Sequence, residues 1–203
     1  MQKRTTLRLG AVIIAVAAAA FALTGSAGGN TSPVADQIAY MSTLDGEADI
    51  YTMTPTGFLN VNLTHDKTFG LRSDVEPAWS PDGRFVAFQR NFVKTDVQSS
   101  QIFLVAADGT KLGPLMPPMK GVVDTHPTWS PNGQSIAFAS DRGGNFELYL
   151  YSIKSDQVIQ LTHTKLGVEN LEPTWSPNGK WIAFTRQGAA ATVRPSSLYI
   201  LMV

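Results

Sequence analysis

Glu172-Pro-Thr-Trp-Ser-Pro-Asn-Gly-Lys-Trp-Ile-Ala-Phe184 is the third copy of one phrase. The earlier copies are Glu76-Pro-Ala-Trp-Ser-Pro-Asp-Gly-Arg-Phe-Val-Ala-Phe88 and His126-Pro-Thr-Trp-Ser-Pro-Asn-Gly-Gln-Ser-Ile-Ala-Phe138. Their tryptophans, Trp79, Trp129 and Trp175, stand 50 and 46 residues apart. A repeat of that period marks a supersecondary unit that cannot bury its own apolar face and must stack on copies of itself.

Within each copy the residue types call for strands joined by tight turns. Pro81, Pro131 and Pro177 preset φ, and Gly83, Gly133 and Gly179 accept a positive φ, so the chain reverses after each tryptophan. The runs Phe85–Phe88, Ser135–Ala139 and Ile182–Phe184 follow as strands. A third strand is expected at Gln101–Val105, Phe146–Tyr151 and Ser197–Leu201, and an outer one near Lys111–Met116 and Val158–Thr162. Pro114 and Pro117 suit the outer strand to a sheet edge. Asp108-Gly109 and Asp141-Arg142-Gly143-Gly144-Asn145 read as further turns. Four short antiparallel strands per repeat, with no helical periodicity after the N-terminal segment, predict an all-β protein built of β-propeller blades.

The first unit, from Gln37 to about His65, lacks a Trp-Ser-Pro strand, and the last stops after its third strand. Blades are expected at 37–66, 75–118, 125–164 and 171–203. The 176 residues from Gly28 to Val203 supply about three and a half blades, whereas closed propellers use about four to eight. An incomplete, open propeller is therefore expected, the N-terminal part of a longer protein. Self-association closing a ring from two arcs is the alternative, and the only route by which a homo-oligomer is expected.

The repeat resembles that of the TolB-type β-propellers, a WD-like Trp-Ser-Pro-Asp-Gly repeat also related to the propeller domains of prolyl-oligopeptidase-type serine peptidases. The resemblance covers Ile38 to Val203. It implies a periplasmic or cell-surface setting. In that family the first blade commonly begins at its second strand, and a C-terminal segment returns to complete it.

Residues 1–27 read as a secretory signal. Lys3, Arg4 and Arg8 precede the apolar run Gly10–Leu23, which is short for a membrane span. Gly25-Ser26-Ala27 offers cleavage before Gly28, and Ala20-Phe21-Ala22 is a second candidate; residues 28–36 would be a linker. The formal charge of the chain is zero. Without the three basic residues of the signal it is about −3, with no basic stripe for nucleic acid. There is no cysteine, hence neither a disulfide nor a thiolate metal site.

Glu76, His126 and Glu172 share one repeat position, just before the proline of the innermost strand. Two carboxylates and an imidazole near the channel are weak candidates for a divalent cation, as in TolB-like lyases. The bland reading, favoured here, makes them acceptors for backbone N–H groups of the neighbouring blade, with no metal and no cofactor. Trp79, Trp129 and Trp175 are expected to pack between blades, and Trp181, whose equivalents are Phe85 and Ser135, to be partly exposed or to plug one gap. The Asx-Gly pairs at Asp82, Asn132 and Asn178 read as turns, since no calcium loop closing on a glutamate is present.

No Gly-x-Ser-x-Gly elbow or phosphate loop occurs, and His65 and His163 fall at outer-strand ends, so no catalytic residue is assigned. The expected function is an exported, non-enzymatic scaffold binding another envelope protein, through the connections Asn91–Ser100 and Gln187–Ser196. The alternative is the N-terminal propeller of a serine peptidase. A lyase would need axial histidines, and only His126 stands there.

Overall fold

The computed structural model describes residues 37–65, 72–92, 99–188 and 197–203. The expected signal and linker lie outside them, as do 93–98 and 189–196, the greater part of the two expected binding connections. Among the described residues there is no helix, and so none long and apolar enough to cross a membrane.

Among the described residues, fourteen strands form four antiparallel sheets. The first contains β1 (Ile38–Ser42), β2 (Asp49–Met53) and β3 (Val61–Asn62). The second contains β4 (Arg72–Trp79), β5 (Phe85–Phe92), β6 (Ser99–Ala106) and β7 (Gly113–Pro114). In the third are β8 (Asp124–Trp129), β9 (Ser135–Ser140), β10 (Glu147–Ser152) and β11 (Gln157–Gln160). β12 (Val168–Trp175), β13 (Trp181–Gly188) and β14 (Ser197–Met202) make the fourth. Each sheet is a meander, and β4, β8 and β12 approach one another across the stack. This is a partial, open propeller.

The turn after each tryptophan has one design. Gly83, Gly133 and Gly179 adopt φ of 68°, 69° and 68° and donate their N–H to the carbonyl of Ser80, Ser130 and Ser176, each at 2.9 Å. The serine hydroxyls accept the N–H of Phe85, Ser135 and Trp181 at 2.9, 2.9 and 3.0 Å. The Oδ1 of Asp82, Asn132 and Asn178 accepts from those hydroxyls at 2.7–2.8 Å. This Asx geometry explains why Asp and Asn interchange at that position. Successive turns also stack: a Cβ on Gly133 would lie 3.7 Å from Pro81, and one on Gly179 3.8 Å from Pro131.

Packing follows a two-faced rule set by strand alternation. One face carries a paired small and branched residue: Ala87 opposite Leu104, Ala137 opposite Leu150, Ala183 opposite Ile200. The other carries an aromatic pair: Tyr40–Tyr51, Phe88–Phe103, Phe138–Tyr149 and Phe184–Tyr199, with ring centroids 5.8–6.0 Å apart. The alanine face of each sheet packs on the aromatic face of the next, giving three inter-sheet cores. Phe88, Phe138, Ile102, Ile136, Leu148 and Ile182 are among their fully buried members, each stabilising by about 1.5–3 kcal/mol. Trp79, Trp129 and Trp175 are half-buried, one against each core. The Trp129 indole donates to the carbonyl of Ala78 in the preceding sheet at 3.2 Å, whereas among the described residues Nε1 of Trp79 and of Trp175 finds no acceptor.

Candidate inter-sheet site on the inner strands

In β4, β8 and β12 the residue before the proline breaks the ladder. Register shifts occur between Val75 and Ala78, Thr125 and Thr128, and Leu171 and Thr174. Glu76, His126 and Glu172 lie there with φ of 55°, 54° and 54°, the left-handed region that non-glycine residues rarely enter. Proline at the next position has no N–H to lose from the ladder, and it disfavours the right-handed conformation of its predecessor. Each inner strand thus carries a β-bulge that re-aims one side chain.

The bulges of the second and third sheets meet. Glu76 Oε2 accepts the backbone N–H of His126 at 2.9 Å and lies 3.3 Å from Thr125 Oγ1. Glu76 Oε1 lies 3.2 Å from His126 Nε2, and His126 Nδ1 lies 3.0 Å from Thr125 Oγ1. The Thr125 hydroxyl also donates to Gln89 Oε1, and Gln89 Nε2 donates to Asn91 Oδ1 at 2.6 Å. A continuous row therefore runs from Asn91 through Gln89, Thr125 and His126 to Glu76. Gln89, Asn91 and His126 are half-buried and Glu76 is exposed.

Glu172 stands apart from this pair: its Oε2 accepts from Thr185 Oγ1 of its own sheet at 2.9 Å, and the residue is exposed. Among the described residues no three His, Asp or Glu side chains are grouped closely enough to hold a metal ion. His65 and His163 are exposed at their outer-strand ends. Trp181 is 41 % exposed, on the outer face of the last sheet beside Trp175, Ala183 and Ile200. The arrangement can crosslink two sheets and present amide, imidazole and carboxylate groups to a partner.

Gln89, Asn91 and Thr125 are not singled out by the repeat motif. Their signal is the alternation along β5 beyond Phe88, which returns every second side chain to one face. The motif also leaves out a cation in each of three blades. Arg90 lies 4.5 Å from the Phe103 ring, Arg142 5.0 Å from Tyr149 and Arg186 4.2 Å from Tyr199. Each also donates to the inner strand, to Asp74, Asp124 and Asn170 respectively, at 2.7–2.8 Å. Cation–π attraction and a charge-assisted hydrogen bond thus pin the same end of three blades.

Residues 91–197 match the family model described as the TolB beta propeller domain. No curated protein matches the chain. Among solved structures, it is similar to a TolB of Agrobacterium tumefaciens, at 20 % identity over 82 % of this chain and 57 % of that one, TM-score 0.66. It is also similar to TolB of Acinetobacter baumannii, at 22 % identity over 83 % and 41 %, TM-score 0.58. A puromycin hydrolase matches at 19 % identity over 77 % and 25 %, TM-score 0.55. The chain thus spans about half the length of the TolB structures it matches. With the repeat, the meandering four-stranded sheets and this match over more than half its residues, the chain belongs to the TolB β-propeller domain family.

Proposed function

We propose that this chain is the propeller of an exported, non-enzymatic scaffold that binds another protein in the bacterial envelope. The observation that carries the reading is the polar row Asn91–Gln89–Thr125–His126–Glu76. It spans two sheets, is held on strands and a rigid bulge, and leaves its members partly open to solvent. Donors and acceptors fixed in this way recognise a surface without ordering cost at the moment of binding. The similarity to two TolB structures supports a periplasmic setting, and the basic and apolar N-terminal residues support export.

Site-specific photocrosslinking in the exported protein tests the proposal. A photoreactive residue at Asn91 should give defined adducts with an envelope protein, and Glu76→Lys should abolish them. The same group at Ile159, exposed on the outer strand β11, should give none. Identical adducts at both positions, or none at Asn91, overturn the proposal.

The puromycin hydrolase similarity favours a second reading, in which this propeller covers the catalytic domain of a serine peptidase. The genomic sequence after the Val203 codon separates the two. A hydrolase domain with a Gly-x-Ser-x-Gly elbow supports the peptidase, and further Trp-Ser-Pro blades support the scaffold.

A further inference from the structure

Asn132-Gly133 and Asn178-Gly179 are the two asparagine-glycine pairs of the chain, and each lies in the turn of a repeat. The first copy has Asp82-Gly83 at the same place. A glycine after asparagine leaves its own nitrogen open to intramolecular attack, because it has no Cβ to shield it. Both asparagines are exposed to solvent. The repeat thus brings an amide, an unshielded nitrogen and water together twice, and supplies the corresponding acid once.

The folded turn holds these reactants apart. Gly133 N–H is bound by the Ser130 carbonyl and Gly179 N–H by that of Ser176, each at 2.9 Å. The amide oxygens are bound as well. Asn132 Oδ1 accepts from Ser130 Oγ at 2.8 Å and from the Gln134 N–H at 3.0 Å. Asn178 Oδ1 accepts from Ser176 Oγ at 2.7 Å and from the Lys180 N–H at 3.0 Å. These bonds fasten each side chain toward the second residue ahead, whereas attack needs Cγ against the nitrogen of the first. Ring closure therefore requires the glycine N–H and the amide oxygen to be released together, which is a local opening of the turn. The aspartate copy shows how the turn receives an acid. Asp82 Oδ1 accepts from Ser80 Oγ at 2.7 Å and from the Arg84 N–H at 3.1 Å, the same two bonds, and Oδ2 takes Arg84 Nε at 2.7 Å. Lys180 stands at the place of Arg84 after Asn178.

We propose that Asn132 and Asn178 are modification sites, deamidated when their own turn opens, and that Ser130 and Ser176 are the residues that keep each turn shut. In the open turn the glycine nitrogen attacks Cγ of the asparagine. An N–Cγ bond forms, the Cγ–Nδ2 bond breaks, and ammonia leaves with the proton that the glycine nitrogen gives up. Water then opens the cyclic imide. Cleavage between Cγ and the nitrogen gives aspartate in a normal main chain. Cleavage between the main-chain carbonyl carbon and the nitrogen gives an isoaspartyl linkage. Either product replaces a neutral amide by a carboxylate. Aspartate fits the turn as Asp82 does, whereas an isoaspartyl linkage adds a methylene to the main chain and breaks it.

Incubation of the full chain in warm, mildly alkaline buffer, and in parallel in urea, tests this. Peptide mass mapping reads conversion of amide to acid at each site. Conversion at both sites should be at least about tenfold slower in buffer than in urea. Ser130→Ala removes a donor to Asn132 Oδ1 and the acceptor of the Ser135 N–H. It should speed conversion of Asn132 about tenfold and leave Asn178 unchanged, and Ser176→Ala should do the reverse. Asn132→Asp, the product in place, should move the thermal midpoint by about 1 °C or less. The urea comparison and Asn132→Asp need no serine variant to fold. Equal rates in buffer and urea, no conversion in urea, or no acceleration at the matching site each overturn the proposal. So do equal acceleration of both sites by one serine variant and a midpoint lowered by several degrees in Asn132→Asp.

Discussion

The seam between the first and second sheets and the seam between the third and fourth use the same main chain with different charges. In both, an inner-strand N–H reaches back across the seam: Asp74 to the Ala48 carbonyl at 2.7 Å, Asn170 to the Phe146 carbonyl at 2.8 Å. In both, a threonine of the Leu-Thr-His motif accepts a strand N–H, Ile50 to Thr64 at 3.0 Å and Leu148 to Thr162 at 2.9 Å. The first seam then buries four charges. Arg72 binds Asp49 at 2.8 Å and Asp74 at 2.6 Å, and Arg90 binds Asp74 at 2.7 Å. The other seam buries one carboxylate, Glu147, which accepts from Thr162, from Thr164 and, at 2.7 Å, from Asn170; Arg186 donates to Asn170 at 2.8 Å. Where Asp74 gives way to Asn170, Arg72 gives way to Val168. The backbone frame is therefore common to the two seams, while side chains change in matched sets that keep charges compensated.

The largest effect is expected on removing the shared acceptor of the first seam. Asp74 is fully buried and serves two arginines. Asp74→Ala removes that acceptor from both, leaving Arg72 its Asp49 contact, and loss of one partner of a buried pair costs about 3–5 kcal/mol. Urea unfolding should show that loss, and a change under about 1 kcal/mol would mean that the network is not closed in solution. The converse test imports the first seam's acid into the other. Asn170→Asp places a second carboxylate 2.7 Å from Glu147 Oε2, with an expected loss of about 3 kcal/mol. Adding Val168→Arg should recover a good part of it; strict additivity in the double-mutant cycle would refute the matched-set account.

A smaller effect separates the seams by pH. Burial opposes ionisation of Glu147, but the hydroxyls of Thr162 and Thr164, the Thr164 N–H and the Asn170 amide outweigh it and hold the carboxyl below its ordinary value. A depressed folded-state value contributes stability that is present above the unfolded value, near 4.5, and is lost as pH falls through the folded value. Stability of the wild-type chain should therefore fall more steeply below about pH 4.5 than that of Glu147→Gln. Parallel curves from acid denaturation of the two proteins would contradict this.

What the residues announce and what they hide has a physical pattern. Trp-Ser-Pro-Asx-Gly specifies its turn because every member acts locally, through a hydroxyl acceptor, a preset φ, a side-chain oxygen or a positive φ. Strands such as Phe85–Phe88 show themselves by composition. The outer strands β3 and β7 are blurred because only two residues of each join a ladder. The Arg90 and Arg186 positions repeat in register, but Arg142 reaches the same place from the turn, two residues later in its repeat, so alignment alone hides the set. The bulge is hidden for another reason: a left-handed glutamate or histidine leaves no mark except the proline after it. Its side chain's role follows from a neighbouring sheet that a linear reading does not contain.

That bulge gives the mildest test, because its contact is half in solvent. In the seam between the second and third sheets Gln101 occupies the position of Asp49 and Glu147, Asp124 is the buried acid, and Glu76 reaches across the bulges as well. The carboxylate caps the His126 N–H, which the register shift removes from the ladder, and it also faces the His126 ring. An exposed ion pair contributes under about 1 kcal/mol, whereas an uncapped amide loses a hydrogen bond of about the same size. Glu76→Ala removes both and should lower stability by about 1–2 kcal/mol. Glu76→Gln keeps the acceptor and should cost about 0.5 kcal/mol or less. If glutamine and alanine are equally harmful in urea unfolding, charge is the operative part and the capping role fails. If neither matters, the two sheets are held by their apolar cores, by Trp129 and by the bonds of Ser100 to the Val122 and Asp124 carbonyls, and the polar row is free to serve recognition.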